Sequence, residues 1–277
     1  MEECLHMYFI ENDEIKSSCD FNSEKFEAGS FVYEVIRVLN GKPLFLNDHI
    51  KRFNESFSFD DLVSPFNNKQ IRHSIKTLIS INKIDTGNIK IMAYSRKANQ
   101  ALWFAAWFIP CYYPSNEMYL QGVDVALFDV QRPNPNAKIQ RQDYKQMISS
   151  QISKLNVFEL LLIHNGTITE GSRSNIFFIE DKYVVTAPES TVLKGITRDK
   201  VYNICFEKGI MLKEKEILVD QLPYYQSAFL TGTSPKVLPI RQIVGFPPFS
   251  TKNVLIDSVS AGYEDMIRLD QKSFVWE

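Results

Sequence analysis

Apolar positions along this chain switch between two periods, and the switches mark its elements. Residues 31–39 are dense in Val, Ile, Phe and Tyr, stop at the turn pair Asn40-Gly41, and give way to Pro43-Leu44-Phe45-Leu46. Apolar β-formers on both sides of an Asn-Gly pair predict a hairpin. Ile50, Phe53 and Phe57 then recur at helical spacing, with Asn47 or Asp48 available as N-cap. Ile71, Ile75, Leu78 and Ile79 repeat that spacing and predict a second helix over 69–81. Strands are expected at 89–94 and 102–109, joined by a polar turn.

Residues 111–122, carrying Pro114, Ser115 and Asn116, form the best linker candidate. They divide the chain into an N-terminal domain, 1–110, and a C-terminal domain, 123–277. In the second part a strand is expected at 123–130 and a helix at 144–155. Two strands around Asn165-Gly166 should cover 160–179. A helix should open at Thr197 and run to about Lys208, where Gly209 is a favourable stop. Mixed strands and helices in two lobes predict an α+β architecture with a cleft between domains.

Composition narrows the function classes. A hydrophobic share of 44% and a charged share of 23% are those of an ordinary globular protein. The net charge of -2, with lysines and arginines spread along the chain, argues against a nucleic-acid footprint. The longest apolar run, 101–113, is broken by Pro110 and is too short to span a bilayer. The first residues lack a basic region followed by an apolar one, so a cytoplasmic protein is expected. Four cysteines and four histidines are scattered without metal-ligand spacing, and no metal is expected.

The chemistry is concentrated in four places. Thr169-Glu170-Gly171-Ser172-Arg173-Ser174-Asn175 offers a carboxylate, and Lys138 an amine thirty-two residues before it. Gly195-Ile196-Thr197-Arg198 and Thr231-Gly232-Thr233-Ser234 are two glycine-and-hydroxyl turns. An amine can form a Schiff base and a carboxylate can hold a pyridinium proton. Backbone N–H groups opening a helix can wrap a phosphate. Those are the three functional ends of pyridoxal phosphate. Each residue alone has a bland reading, as a solvated lysine, an exposed turn carboxylate or an ordinary turn.

Seven pieces in one order make the set specific. They are Gly29-Ser30-Phe31-Val32-Tyr33-Glu34-Val35-Ile36-Arg37, His49-Ile50-Lys51-Arg52, Lys138, Glu159-Leu160-Leu161-Leu162, the Glu170 segment, Leu193-Lys194-Gly195-Ile196-Thr197-Arg198 and Phe229-Leu230-Thr231-Gly232-Thr233. Together they resemble the class IV aminotransferases, the fold-type IV pyridoxal-phosphate enzymes, nearly from end to end. That family includes branched-chain aminotransferases, D-amino-acid aminotransferases and aminodeoxychorismate lyases. The resemblance implies that Lys138 is the Schiff-base lysine; Lys145, the rival amine, would lose the spacing to Glu159. It implies Glu170 at the pyridine nitrogen, Arg52 on the phosphate with His49 packed nearby, and Leu193 against the ring. Gly195, Ile196, Thr197, Thr233 and Ser234 would complete the phosphate site, and Tyr144 would reach the phenolic oxygen. Tyr33 and Arg96 are candidates for substrate contact.

Two features depart from the family's pattern. Arg141 stands where an asparagine usually follows the lysine, and Tyr144 is six residues beyond Lys138. Ser95-Arg96-Lys97 lacks the Arg-x-His pair of D-amino-acid aminotransferases, although Tyr33 matches that subgroup's Tyr-Glu wording. The expected function is transamination between a small amino acid and a 2-oxo acid, by a cytoplasmic homodimer. Aminodeoxychorismate lyase chemistry and a degenerate cofactor-binding protein are the alternatives.

Overall fold

In a computed structural model of the chain, the described residues are 2–26, 30–60, 64–94, 102–130, 132 and 135–276. They form two compact units. The first comprises Met1–Tyr112, Ala137–Lys145 and Leu269–Glu277; the second comprises Tyr113–Asn136 and Gln146–Arg268.

The first unit is built on a sheet of seven described strands. Glu14–Ser17, Tyr8–Glu11, Trp103–Ile109, Gly87–Tyr94, Ser30–Leu39 and Lys42–Pro43 follow one another across it, and Ile139–Arg141 also pairs with Ser30–Leu39. Alternation sorts side chains to two faces. Val32, Ile36, Val38, Ile89 and Ile91 meet Ile50, Phe53, Ile71, Ile75 and Leu78 from helices Leu46–Glu55 and Asn68–Asn82. On the opposite face Met92, Tyr94 and Trp107 pack with Phe9 and Phe26. Cover on both faces is why every position of Gly87–Tyr94 is buried.

The first helix starts earlier than the side-chain caps suggest. Phe45 is its N-cap, in the left-handed region at φ 51°, and no side chain caps the turn. The Phe45 N–H instead donates to the Asp270 carboxylate at 2.9 Å. Asn47 and Asp48 therefore lie inside the helix. The second helix does use local chemistry, a capping box between Asn67 and Gln70.

Lys138 was expected in the C-terminal domain, and strand pairing puts it elsewhere. Ile139–Arg141 runs antiparallel to Ser30–Leu39, with Ser30 opposite Arg141 and Val32 opposite Ile139. That ladder carries Ala137–Lys145 into the first unit. The expected linker also holds structure, the short helix Asn116–Gln121 capped by Ser115.

The second unit has a sheet of nine described strands, ordered Met211–Glu214, Tyr183–Thr186, Asn175–Glu180, Ser227–Gly232, Lys236–Ile243, Val123–Asp129, Glu159–His164, Thr167–Gly171 and Ile217–Leu218. Tyr183–Thr186 pairs parallel with Met211–Glu214, and Val123–Asp129 with Glu159–His164. A parallel pair needs a long crossover. Helix Ile196–Glu207 lies in the first and helix Gln142–Leu155 in the second. The region 160–179 contains three strands instead of two, because a second turn at 172–174 separates Thr167–Gly171 from Asn175–Glu180. The Glu159 carboxylate holds that turn, accepting the Arg173 N–H at 2.6 Å and the Ser174 hydroxyl at 3.0 Å.

Gly122 ends helix Asn116–Gln121 at φ 75°, and a Cβ there would stand 2.7 Å from the Arg241 backbone nitrogen. Conformation and space both exclude a side chain. Gly122→Ala should cost about 1–3 kcal/mol, seen as a lower midpoint in thermal unfolding followed by circular dichroism. An unchanged midpoint would contradict this account.

Candidate active site

In the first unit the site is organised around a buried carboxylate. Glu34, on the helix-facing side of Ser30–Leu39, has no exposed surface. It accepts Arg52 Nε at 2.6 Å and Nη2 at 2.8 Å, and faces His49 Nδ1 at 2.8 Å. His49 and Arg52 reach it together because they are three residues apart on one helix. Burial pushes the Glu34 carboxyl up, but the Arg52 charge and hydrogen bonds from Arg52 and His49 outweigh it, holding the pKa at about 2. Burial pushes His49 down against the opposing pull of Glu34.

Two further contacts bind Lys138 into this group. The Ser56 hydroxyl donates to the Arg52 carbonyl at 2.8 Å and accepts the Lys138 N–H at 3.2 Å. The Tyr33 N–H donates to the Lys138 carbonyl at 3.1 Å, and the Lys138 ammonium lies 4.8 Å from the centre of the Tyr33 ring. Tyr33, Arg52 and Lys138 are thus brought together. Tyr144 sits in the first turn of helix Gln142–Leu155, half-buried. The neighbouring amine of Lys145 is in an ion pair with Glu2 at 2.6 Å. Arg96 lies outside the described residues.

In the second unit Glu170 is 1% exposed at the end of Thr167–Gly171. Its carboxylate accepts the Leu193 N–H at 3.1 Å and faces Arg132 Nε at 3.0 Å. Arg132 also donates from Nη2 to the Ser172 carbonyl at 2.9 Å. The Leu193 carbonyl accepts Asn175 Nδ2 at 2.9 Å. The same Asn175 side chain lies so close to Gly195 that a Cβ there would collide with its Oδ1. One asparagine therefore shapes the whole segment from Leu193 to Gly195.

Gly195 is the N-cap of helix Ile196–Glu207 and supplies no side-chain cap. First-turn N–H groups left without such a cap suit an anion. Ile196 and Thr197 are buried, and the Thr197 hydroxyl turns to the Tyr263 hydroxyl at 3.3 Å. Thr231 faces Asn175 across the sheet, and its buried Oγ1 has no hydrogen-bond partner among the described residues. Gly232 follows, and Thr233 and Ser234 form the turn into Lys236–Ile243. Glu170, Leu193 and Gly195 to Thr197 are joined through Asn175 and its strand neighbours.

Sequence reasoning missed four organising residues. Glu34, Asn175 and Glu159 stand within the quoted motifs but were given no role. Arg132 carried no signal, because its value depends on a contact to a distant strand. No group of three or more metal-ligating side chains occurs among the described residues, and no described helix is long and apolar enough to cross a membrane.

Comparisons with known proteins identify the family and the fold. A D-alanine aminotransferase of Bacillus licheniformis is 28% identical over 256 residues, covering 86% of this chain and 90% of that protein. The structure of a branched-chain amino acid aminotransferase from Escherichia coli superposes with a TM-score of 0.84 at 20% identity, covering 98% of both chains. A T.th. branched-chain amino acid aminotransferase with pyridoxamine 5'-phosphate gives 0.82 at 23% identity, covering 96% of both. Those two likenesses establish the α+β fold. The class IV amino-transferase family model matches residues 31–243, from the strand of Tyr33 to the strand beyond Ser234, and the chain belongs to that family.

Proposed function

We propose that this class IV aminotransferase uses pyridoxal phosphate to move an amino group between a small amino acid and a 2-oxo acid, and that its donor is of the D-alanine type. The buried Glu170 carboxylate carries the reading. It is hydrogen-bonded to Leu193, two residues before Gly195, the N-cap of a helix without a side-chain cap. A proton-holding carboxylate and an anion-binding helix end in one unit fit the two ends of the cofactor. The orphaned Thr231 hydroxyl beside them adds a donor for the phosphate end. The D-alanine aminotransferase relative and the Tyr33 wording favour the donor assignment.

When bound, the cofactor supplies a protonated pyridine ring that takes up the electron pair left as the substrate's Cα loses a proton. The protein's residues do the rest. Glu170 would hold the proton at the ring nitrogen, with Arg132 paired to its carboxylate. Leu193 would pack against the ring. In the second unit the N–H groups opening helix Ile196–Glu207, Thr233 and Ser234 would hold the phosphate. In the first unit Arg52, oriented by Glu34, is the cation proposed for a phosphate. The Lys138 amine would anchor the cofactor and take the proton from the substrate's Cα. The same reading includes a homodimer.

Lys138→Ala should abolish turnover, and borohydride treatment with peptide mapping should find the pyridoxyl group of the parent on Lys138. Finding it on Lys145 would overturn the assignment.

Glu170→Gln should retain cofactor but slow Cα proton removal, since a neutral amide no longer favours a protonated ring. Single-turnover absorbance changes measure this, and a parental rate would mean that another group serves the ring nitrogen.

Glu34 gives a pH dependence of fixed sign. Its folded pKa of about 2 lies below the usual carboxylate value. Its contribution is therefore complete above about pH 4.3 and is lost as pH falls towards 2. Glu34→Gln should lower stability at neutral pH by about 3–5 kcal/mol, the cost of breaking a buried pair. It should also flatten the acid limb of a stability–pH curve from denaturant melts. An unchanged acid limb would contradict the pairing.

A further inference from the structure

The segment between strand Tyr183–Thr186 and helix Ile196–Glu207 carries both Leu193, bonded to Glu170, and Gly195, where the helix opens. Its only regular structure is the short 3-10 helix Glu189–Thr191. Its shape therefore depends on ties from other elements. Asn136 supplies one, donating from Nδ2 to the Glu189 carbonyl at 3.0 Å and the Val192 carbonyl at 2.9 Å. The others converge on Glu214, a residue outside all seven sequence motifs.

Glu214 ends its strand opposite Thr186 in the parallel ladder. Its Oε2 accepts the Glu189 N–H at 3.1 Å, near the front of the segment. Its Oε1 accepts Arg198 Nη2 at 2.9 Å, in the first turn of the helix behind the segment, and the Tyr202 hydroxyl at 2.6 Å. The same Arg198 nitrogen donates to the Ala187 carbonyl at 3.1 Å, so the guanidinium also reaches back to the strand end. Arg198 is 2% exposed, whereas 34% of the Glu214 side chain meets solvent. Burial pushes the Glu214 carboxyl up, but hydrogen bonds from Tyr202, Glu189 and Arg198 outweigh it and hold it below the usual carboxylate range.

We propose that Glu214 is a positioning residue for the phosphate end of the cofactor: it staples Glu189 to Arg198, and so sets the direction of the N–H groups of Ile196, Thr197 and Arg198. This rests on the reading of that helix start as a phosphate site. Tying the two ends of a short loop removes chain freedom that anion binding would otherwise have to remove. Donors aimed in advance hold an anion without that reorganisation. Arg198 puts a positive charge in the first turn of a helix, where the helix dipole disfavours one. The Glu214 carboxylate offsets that charge, which lets the buried guanidinium act as an anchor.

The test compares two ligands with the same ring, pyridoxal phosphate and pyridoxal, which lacks the phosphate. Equilibrium dialysis of the full-length protein, read by absorbance, gives both dissociation constants, and their ratio measures the phosphate contribution. Glu214→Gln keeps the size of the side chain but has one acceptor oxygen, so it cannot hold both Glu189 and Arg198. It should lower the preference for the phosphorylated ligand at least about tenfold, while pyridoxal affinity moves by less than about threefold. A parental preference in the variant would overturn the proposal. So would equal losses for both ligands, since a purely structural pair would weaken them alike.

Because Glu214→Gln leaves Arg198 buried without its charge partner and can impair folding, Glu214→Asp serves as a second variant. Aspartate keeps the charge but is one methylene shorter, too short to span both partners. It should lower the preference at least about threefold, and a parental value would again refute the staple. Hydrogen exchange of the same proteins, read by mass spectrometry, should quicken in residues 189–198 and stay parental in strand Lys236–Ile243. Unchanged exchange in 189–198 refutes the proposal. If the parent binds pyridoxal phosphate no more tightly than pyridoxal, the phosphate reading of the helix start is what fails, and hydrogen exchange still decides whether Glu214 holds the loop.

Discussion

The short antiparallel ladder between Ile139–Arg141 and Ser30–Leu39 is the constraint on which the rest of the site depends. It takes a lysine that is distant in sequence from the first sheet and fixes its backbone beside Tyr33, through the bond from the Tyr33 N–H to the Lys138 carbonyl. Ladder pairing is periodic in two residues, so a slip by one would turn each side chain to the other face. The buried positions Phe31 and Val32 on the partner strand make such a slip costly. The amine is therefore positioned by backbone pairing and by the burial of its neighbours.

Buried charge provides a second layer of order. Glu34, Glu2 and Glu170 are each almost without exposed surface, and each faces an arginine or lysine held by a different element. Such pairs add little net stability compared with apolar packing, because two ions must leave water. They are sensitive to geometry, however, since a buried carboxylate without its partner is strongly penalised. Arg52 gains a fixed orientation from Glu34 in this way, which a surface arginine lacks. The same logic gives Glu170 a defined direction through Leu193 and Arg132.

The legible part of the sequence was the part with local cause. Helical spacing of Ile71, Ile75, Leu78 and Ile79 anticipated helix Asn68–Asn82, and Gly209 stands just past the end of helix Ile196–Glu207. The family motifs carried the family assignment. What escaped were features set by distant partners. The N-cap at Phe45 is stabilised by Asp270, more than two hundred residues away, so no local signal marks it. The turn at 172–174 is held by Glu159, which merged two strands into one in a reading of apolar runs. Lys138 looked like part of the second lobe because its return to the first sheet takes only three paired residues.

Arg141 stands where the resemblance to the family implies an asparagine, a departure that fits a degenerate protein. Arg141 is exposed, and its backbone lies opposite Ser30 in the ladder. A strand position held through main-chain bonds accepts almost any side chain that is free to reach solvent. The exchange therefore leaves untouched the contacts that position Lys138, namely those to Tyr33 and Ser56. It also leaves the Glu34–Arg52 pair and the Glu170–Leu193 bond intact. A protein drifting away from catalysis would lose such buried, mutually dependent polar contacts first, because each costs stability once its purpose is gone. Their joint survival argues for a working site.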